Sequence, residues 1–136
     1  MRVLTFGTFD VLHPGHISYL TQAQNLGDEL HICVALDSTV LAVKKKKPIQ
    51  NQDTRKENLK KHFPDAHVHL GDPKNHMKII EHVKPEIIAI GYDQSSFTDK
   101  IEPFLKQKKI HSKIVRLSPF YQNIYKSSIL SKKKLK

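Results

Sequence analysis

The sequence is poor in several features that mark other classes of protein. It has one cysteine in 136 residues, Cys33, so it can form neither an internal disulfide nor a zinc site built from cysteines. Five glycines and seven prolines exclude a low-complexity chain. No apolar run approaches the roughly 18 residues that a membrane helix needs, and the N-terminus lacks the apolar stretch of a signal peptide. We therefore expect a cytoplasmic protein with a single domain over residues 1–136.

Acidic residues are scarce relative to basic ones. The chain has 23 Lys and Arg against 13 Asp and Glu, which gives a net charge of +10. This surplus favours anionic partners: nucleic acid, phosphorylated small molecules or an acidic membrane surface. The basic residues cluster at 44–47, at 55–61 and in the tail at 126–136, where they can also act as a solubilising surface. Recognition motifs and stacking aromatics within a basic stripe are missing, so a nucleic-acid-binding module is only the alternative interpretation.

Short apolar runs alternate with amphipathic segments along the chain. Buried strands are predicted at 2–6, 29–36, 66–70, 87–90 and 111–117. Helices are predicted at 14–25, 53–62, 72–83 and 98–108 and at the C-terminus (126–136), and the polar segment 37–51 can open with a short helix. Asp53 and Asp72 are expected to start two of these helices. Continuous apolar strands joined by helices predict an α/β fold: a doubly wound, Rossmann-like parallel sheet of about five strands with helices on both faces.

The residues that follow the first predicted strand carry the clearest chemical signal. Gly7 allows a sharp turn, and the N–H groups of Thr8 and Phe9 can form an anion-binding concavity. His13 and His16 lie three residues apart at the start of the next helix, whose positive end attracts phosphate. Two imidazoles there can donate hydrogen bonds to phosphoryl oxygens as charge builds. Alternatively, they only cap the helix; a metal site is not predicted, because no HExxH pattern accompanies them.

These residues resemble the signature of a known enzyme superfamily. The sequence GTFD at 7–10, followed by HPGH at 13–16, is similar to the motif of the HxGH nucleotidylyltransferases. Members include glycerol-3-phosphate cytidylyltransferase, phosphopantetheine adenylyltransferase and archaeal-type FAD synthetase. The resemblance implies that His13 and His16 stabilise the α-phosphate while pyrophosphate is displaced in line.

The same resemblance implies roles for the neighbouring residues of the turn. Gly15 would allow close approach of the nucleotide, and Thr8 and Phe9 would contribute backbone contacts. Asp10 would orient the turn or approach the incoming substrate.

The basic segment 44–49 extends the resemblance into the middle of the chain. Its sequence, KKKKPI, is similar to a loop of the cytidylyltransferase-like members. Point charges there can hold the phosphate of an acceptor and offset repulsion between two anions. Lys44 and Lys46, at alternating positions, are the predicted ligands. Asp37 corresponds to an acidic residue that faces the acceptor site, and Arg55 can have a structural role by pairing with a nearby carboxylate.

Two later segments are similar to the remaining motifs of the superfamily. Gly91, Tyr92 and Asp93 match an element that reaches the ribose and base of the nucleotide. Ser127 and Ser128 match the cap of the last helix, which binds the β- and γ-phosphates. The R-T-E-G-I-S-T-T string of cytidylyltransferases is missing here.

Together the motifs imply an enzyme that transfers a nucleoside monophosphate from a nucleoside triphosphate to a phosphorylated acceptor. FAD synthesis from ATP and FMN is favoured, because the GYDQ element is similar to that of archaeal FAD synthetases. The alternatives are cytidylyl or adenylyl transfer, from CTP or ATP, to glycerol 3-phosphate or a related alcohol or sugar phosphate. Mg²⁺ is expected to be held mainly by nucleotide phosphates and water, and the family implies a homodimer. Neither a nucleic acid nor a membrane is expected as a partner.

The remaining histidines predict no site. His67 and His69 alternate on a predicted strand and share one face, and such a pair is more often part of the packing or surface than a metal site. The others form no constellation in the sequence; they are His31, His62, His76, His82 and His111.

Overall fold

A computed structural model of the protein describes residues 1–91 and 95–118, with the side chains of 95–98 left out. Strands and helices alternate along these ranges. The elements are β1 (Arg2–Gly7), α1 (Pro14–Gln24), β2 (Glu29–Val34), α2 (Asp37–Lys44), α3 (Gln52–His62), β3 (His67–Leu70), α4 (Lys78–Val83), β4 (Ile87–Ile90), α5 (Ser95–Lys108) and β5 (Lys113–Arg116). The predicted last helix, at 126–136, lies outside the described residues.

The strands form one parallel sheet in the order β3-β2-β1-β4-β5. β1 lies at the centre, because residues such as Val3 and Thr5 pair with β2 on one side and with β4 on the other. The chain therefore winds outward in one direction from β1 to β3 and in the other from β4 to β5. In sheets of this kind, ligands bind near such a reversal, beyond the carboxyl ends of the strands. The predicted Rossmann-like α/β fold is confirmed.

Helices cover both faces of the sheet and bury a separate apolar cluster on each. On one face, residues such as Val3 and Ile32 pack with α1 and α3. On the other, residues such as Leu4 and Ile88 pack with α4 and α5. Successive strand residues point to opposite faces, which explains why these doubly covered strands are apolar at nearly every position.

Two predicted helix starts were wrong, and side-chain hydrogen bonds explain both. The N-cap of α3 is Asn51, whose Oδ1 accepts from the N–H of Thr54, while Asp53 lies inside the helix. Asp72 does not start α4: its Oδ1 accepts from the N–H groups of Lys74 and Asn75 and closes a local turn. Such side-chain bonds to nearby backbone compete with helix formation, and α4 begins only at Lys78.

Within the part of the chain that the structure describes, no helix is both long and apolar enough to cross a membrane.

Candidate active site

The turn between β1 and α1 has a strained backbone. Phe9 and Val11 both have a φ of 54°, in the left-handed region that bulky and β-branched residues rarely adopt. The Phe9 ring folds back over Gly7, where a Cβ would lie only 2.6 Å from the ring. Gly7 is therefore required by the packing of Phe9, which is buried. Strain of about 1–3 kcal/mol per residue persists only where the surroundings hold the backbone in place.

The segment before α3 holds this turn. The carboxylate of Asp10 accepts hydrogen bonds from the N–H of Ile49 (2.8 Å) and of Gln50 (2.9 Å), and the Gln50 side chain accepts from the N–H of Val11. Desolvation opposes the charge on Asp10, but the backbone donors outweigh it and lower the pKa of this carboxyl group. Asp10 thus orients the turn, one of the two roles considered from the sequence.

Arg55 ties the turn to the ends of two other segments. Its guanidinium is completely buried and donates to the carbonyl oxygens of Thr8 (2.9 Å), Ala35 (2.8 Å) and Gln50 (3.0 Å). It also donates to Asp37 Oδ1 at 2.7 Å. The side chain therefore has the structural pairing that the sequence suggested, and the Asp37 carboxylate is bound to it.

His13 caps helix α1 with one of its ring nitrogens. Its Nδ1 accepts from the N–H groups of Gly15 (3.1 Å) and His16 (3.4 Å). Because Nδ1 is an acceptor, the proton of the neutral ring is on Nε2, which remains a donor. Gly15 makes this cap possible, since a Cβ there would lie 2.8 Å from the His13 ring.

His16 stacks on His13 and is held in its uncharged form. The ring centroids are 3.7 Å apart and the planes are inclined by 22°. Burial, reinforced by the neighbouring His13 ring and by the positive charge of Lys44, lowers the pKa of His16 from 6.5 to about 4. The ring is therefore neutral near pH 7. Its Nδ1 is buried and has no hydrogen-bond partner among the described residues, and a partner supplied by a ligand would recover the cost of its desolvation.

A cavity of about 320 Å³ adjoins the turn at the carboxyl ends of β1 and β2. Its apolar walls include Phe6, Cys33 and Val43, while Lys44 and Lys100 bring positive charge to it. Burial raises the pKa of the Cys33 thiol to about 12, so this sulfur is a packing atom here.

Lys44 connects the cavity with the histidine pair. It is the last residue of α2 and lines the cavity, and its charge contributes to the low pKa of His16. Lys46 is exposed and does not line this cavity. His76 and Lys100 do line it, although no local motif in the sequence marks either residue.

The remaining predicted site residues are only partly described. Gly91 is buried directly after β4, the neighbour of β1. Tyr92, Asp93, Ser127 and Ser128 lie outside the described residues.

Comparison with known proteins identifies the family of this chain. The model of the cytidylyltransferase-like family matches residues 4–133. The chain belongs to this family. The resemblance inferred from the GTFD and HPGH motifs is thereby confirmed, and with it the prediction of a nucleotidyltransferase.

Relatives within the family are similar over most of their length. The FAD synthase of Aciduliprofundum boonei is 42% identical over 120 residues, which cover 88% of this chain and 80% of that protein. The FAD synthase of Thermoplasma acidophilum is 38% identical over 98% of this chain and 93% of that protein. Among solved structures, the lipopolysaccharide core biosynthesis protein of Thermoplasma volcanium has a TM-score of 0.80 and 38% identity, covering 88% of this chain and 98% of that one.

Arg55→Met is expected to destabilise the protein by about 3 kcal/mol, because three carbonyl groups and a carboxylate lose their common donor. Urea unfolding measures the change. Lys60→Met is the matched control on the same helix: its side chain is 53% exposed, so its effect should stay within about 0.5 kcal/mol. Equal stability of the two variants would contradict the bracing role of Arg55.

His16→Gln is expected to reduce the acid sensitivity of the fold. The pKa of His16 is 6.5 in the unfolded chain and about 4 in the folded protein. Between these pH values only the unfolded chain binds the proton, so the stability of the fold decreases as the pH falls from 6.5 towards 4. The ring is only half-buried, and we expect the variant to lose about 1 kcal/mol less than the wild type between about pH 7 and pH 5.

Urea unfolding at the two pH values tests this expectation. His69, whose pKa burial also lowers to about 4, is present in both proteins, so its effect cancels in the difference. The exposed His111 supplies a control, since His111→Gln should keep the pH dependence of the wild type. The assignment fails if His16→Gln and the wild type lose the same stability.

Proposed function

We propose that the protein is an FMN adenylyltransferase, which transfers AMP from ATP to the phosphate of FMN and releases pyrophosphate. Membership of the cytidylyltransferase-like family and the FAD synthases about 40% identical to the chain support this activity. The observation that carries the choice of acceptor is the cavity beside the histidine pair, which has apolar walls and Lys44 in its lining.

The lining of the cavity favours a flat aromatic acceptor over a small polar one. Phe6, Val40 and Val43 offer apolar surface, against which the flavin ring system can be desolvated favourably. Glycerol 3-phosphate or a sugar phosphate would leave these walls in contact with water. The phosphate of FMN would reach Lys44, at the border between the cavity and the histidine pair.

In the proposed reaction an oxygen of the FMN phosphate attacks the α-phosphorus of ATP. A phosphorus–oxygen bond forms to the FMN phosphate, and the bond to the β-phosphate oxygen breaks, so that pyrophosphate leaves with the electron pair. The Nε2–H of His13 and the neutral ring of His16 donate to the α-phosphate oxygens, where negative charge builds. Catalysis then consists of positioning and charge stabilisation.

The other predicted contacts are part of the same proposal. The backbone around Thr8 and Phe9, with Gly15 at the start of α1, would receive the triphosphate at the positive end of that helix. Lys44 and Lys46 would hold the acceptor phosphate. The predicted nucleotide contacts are Gly91, Tyr92, Asp93, Ser127 and Ser128.

Magnesium, which this proposal includes, would be held by the triphosphate and water. The carboxylates near this edge of the sheet already have partners: Asp10 accepts from two backbone donors, Asp37 pairs with Arg55, and Asp72 accepts from two further N–H groups. They therefore form no carboxylate cage among the described residues. When bound, the ion neutralises phosphate charge.

The first test measures pyrophosphate release by the purified protein. We expect release with ATP and FMN, with FAD as the product. His13→Asn is the informative variant, because asparagine is a good N-cap but lacks the Nε2–H donor. It should keep the wild-type Tm within a few degrees while kcat falls by about 10²- to 10³-fold.

Other outcomes would exclude the proposed activity or the proposed role of His13. Release only with CTP and glycerol 3-phosphate, or only with a sugar phosphate, would assign a different acceptor. Salt-sensitive RNA binding without any pyrophosphate release would favour the nucleic-acid-binding alternative. An unchanged kcat in His13→Asn would leave this histidine with its capping role alone.

Substitution of single lysines tests the acceptor site. Lys44→Met should raise the KM for FMN by about tenfold, because one charge-assisted hydrogen bond to the phosphate is lost. Lys46→Met should raise it to a smaller extent, and Lys47→Met, the control in the same segment, should leave it unchanged. Steady-state kinetics at saturating ATP measure the three values, and equal values for Lys44→Met and Lys47→Met would reject the assignment.

A further inference from the structure

Four histidines for which the sequence predicted no site meet on one face of the sheet. His31 on β2 pairs in register with His67 on the edge strand β3, and His69 lies two residues further along the same face. The His31 ring stacks on His67, with centroids 4.5 Å apart, and on His69, at 5.2 Å. His82 on α4 packs edge-on against His69. The nucleotidyl transfer described above uses none of these rings.

Three side chains of this region bring metal-binding atoms close together. A carboxylate oxygen of Glu29 and one ring nitrogen each from His31 and His67 all lie within 4.8 Å of one another. His31 Nε2 lies 2.6 Å from Glu29 Oε1, which is a hydrogen-bond distance, so a metal ion would replace the proton between these two atoms and move them apart. His31 is 8% exposed, whereas His67 is exposed on the edge strand, where its side chain can rotate to complete a set of ligands.

His69 supplies the outer partner that metal-binding histidines usually have. Its Nε2 lies 2.9 Å from His31 Nδ1. Because the Glu29 carboxylate can only accept, the proton of the His31 ring lies on Nε2 in this structure, and Nδ1 accepts from the Nε2–H of His69. A metal bound at His31 Nε2 would move the ring proton to Nδ1, which would then donate to His69. Such a bond on the far side of a ligating ring fixes its tautomer and orientation.

The surroundings favour a cation, although the chain as a whole carries a charge of +10. Glu29 and His67 line an open depression together with Asp28, Asp65 and Glu86. Met1 and Arg2 also line it: the N-terminal ammonium pairs with Asp28, and Arg2 Nε lies 3.3 Å from Glu29 Oε1. The four carboxylates still outnumber these two positive groups, and a bound cation would compete with the ion pair of Arg2 and Glu29. Such exposed pairs contribute little stability, and the Arg2 guanidinium has a second partner, because its Nη1 donates to the carbonyl oxygen of Val83 at 2.9 Å.

We propose that Glu29, His31 and His67 bind one divalent transition-metal ion of the zinc class. Two imidazoles and a carboxylate are a ligand set typical of Zn²⁺, with Co²⁺ and Ni²⁺ as close substitutes, whereas Mg²⁺ and Ca²⁺ prefer oxygen ligands. Three protein ligands leave a fourth position for water from the depression. The ion would join the first residues of β2 and β3 and so fasten the edge strand to the sheet.

The proposed metal site is independent of the proposed function. Glu29 and His67 are the first residues of their strands, whereas the histidine pair follows the carboxyl end of β1. Failure of either proposal therefore leaves the other untouched.

Titration with Co²⁺ tests the site on the full chain without a polyhistidine tag. We expect one Co²⁺ per chain, with visible absorption bands that indicate tetrahedral ligation, and displacement by Zn²⁺. Binding should weaken by about tenfold or more in Glu29→Gln and in His67→Gln.

Two control variants separate this site from other histidines. His111→Gln removes an exposed histidine outside the cluster, and His13→Asn removes one ring of the stacked pair in the turn; both should bind Co²⁺ as the wild type does. Thermal unfolding provides a second measurement: when Zn²⁺ exceeds its Kd about a hundredfold, the Tm of the wild type should rise by about 5–10 °C, and that of His67→Gln should not.

Several outcomes would overturn the proposal. These are no binding up to about 1 mM Co²⁺, equal binding in the wild type and in both ligand variants, or a loss of binding in His13→Asn in place of His67→Gln. Because His67 is exposed, His67→Gln should fold normally, and its Tm in the presence of a chelator verifies this.

Discussion

The buried guanidinium of Arg55 is the interaction on which the architecture of the site depends. A charge removed from water is tolerated only when its donors are satisfied, and here they reach the turn after β1, the end of β2, the segment before α3 and the first residue of α2. These segments come from separate parts of the sequence. The hydrogen bonds of this one side chain therefore hold the segments together. The strained turn at Phe9 and Val11 is one of the segments held in this way. Asp10 adds the second fixed point, so the histidines are presented from a rigid backbone.

The stacked histidines combine a structural and a chemical property in one motif. The Nδ1 of His13 accepts the hydrogen bonds that cap the helix, so its Nε2–H is still available as a donor. His16 is half-buried against its neighbour and is kept neutral by that burial. In the proposed reaction, the donors of this pair would face a phosphate whose negative charge increases during transfer. Gly15 permits the arrangement only because it lacks a Cβ.

The two ends of the sheet differ in their electrostatic character. At the carboxyl ends of the strands, Lys44 and Lys100 bring positive charge to an apolar cavity. At the amino ends, four carboxylates and a histidine line an open depression, and they outnumber the positive charges of Arg2 and the N-terminus there. Anionic substrates and a metal cation would thus be drawn to opposite edges of one sheet. The net charge of the whole chain, which is strongly positive, does not show this difference between the two edges.

Local patterns determined a large part of this protein from the sequence alone. Continuous apolar runs identified the strands, and GTFD with HPGH identified the turn, because strand burial and the glycine, histidine and helix-start signals are properties of adjacent residues. The helix starts at Asn51 and Lys78 were missed, since competing side-chain bonds decide between neighbouring polar residues.

Only the tertiary structure could place Arg55 under the turn or Lys100 at the cavity. It alone could also bring His31 beside His67, because parallel pairing joins residues 36 positions apart in the chain, and the register of such a pair depends on the packing of the whole sheet.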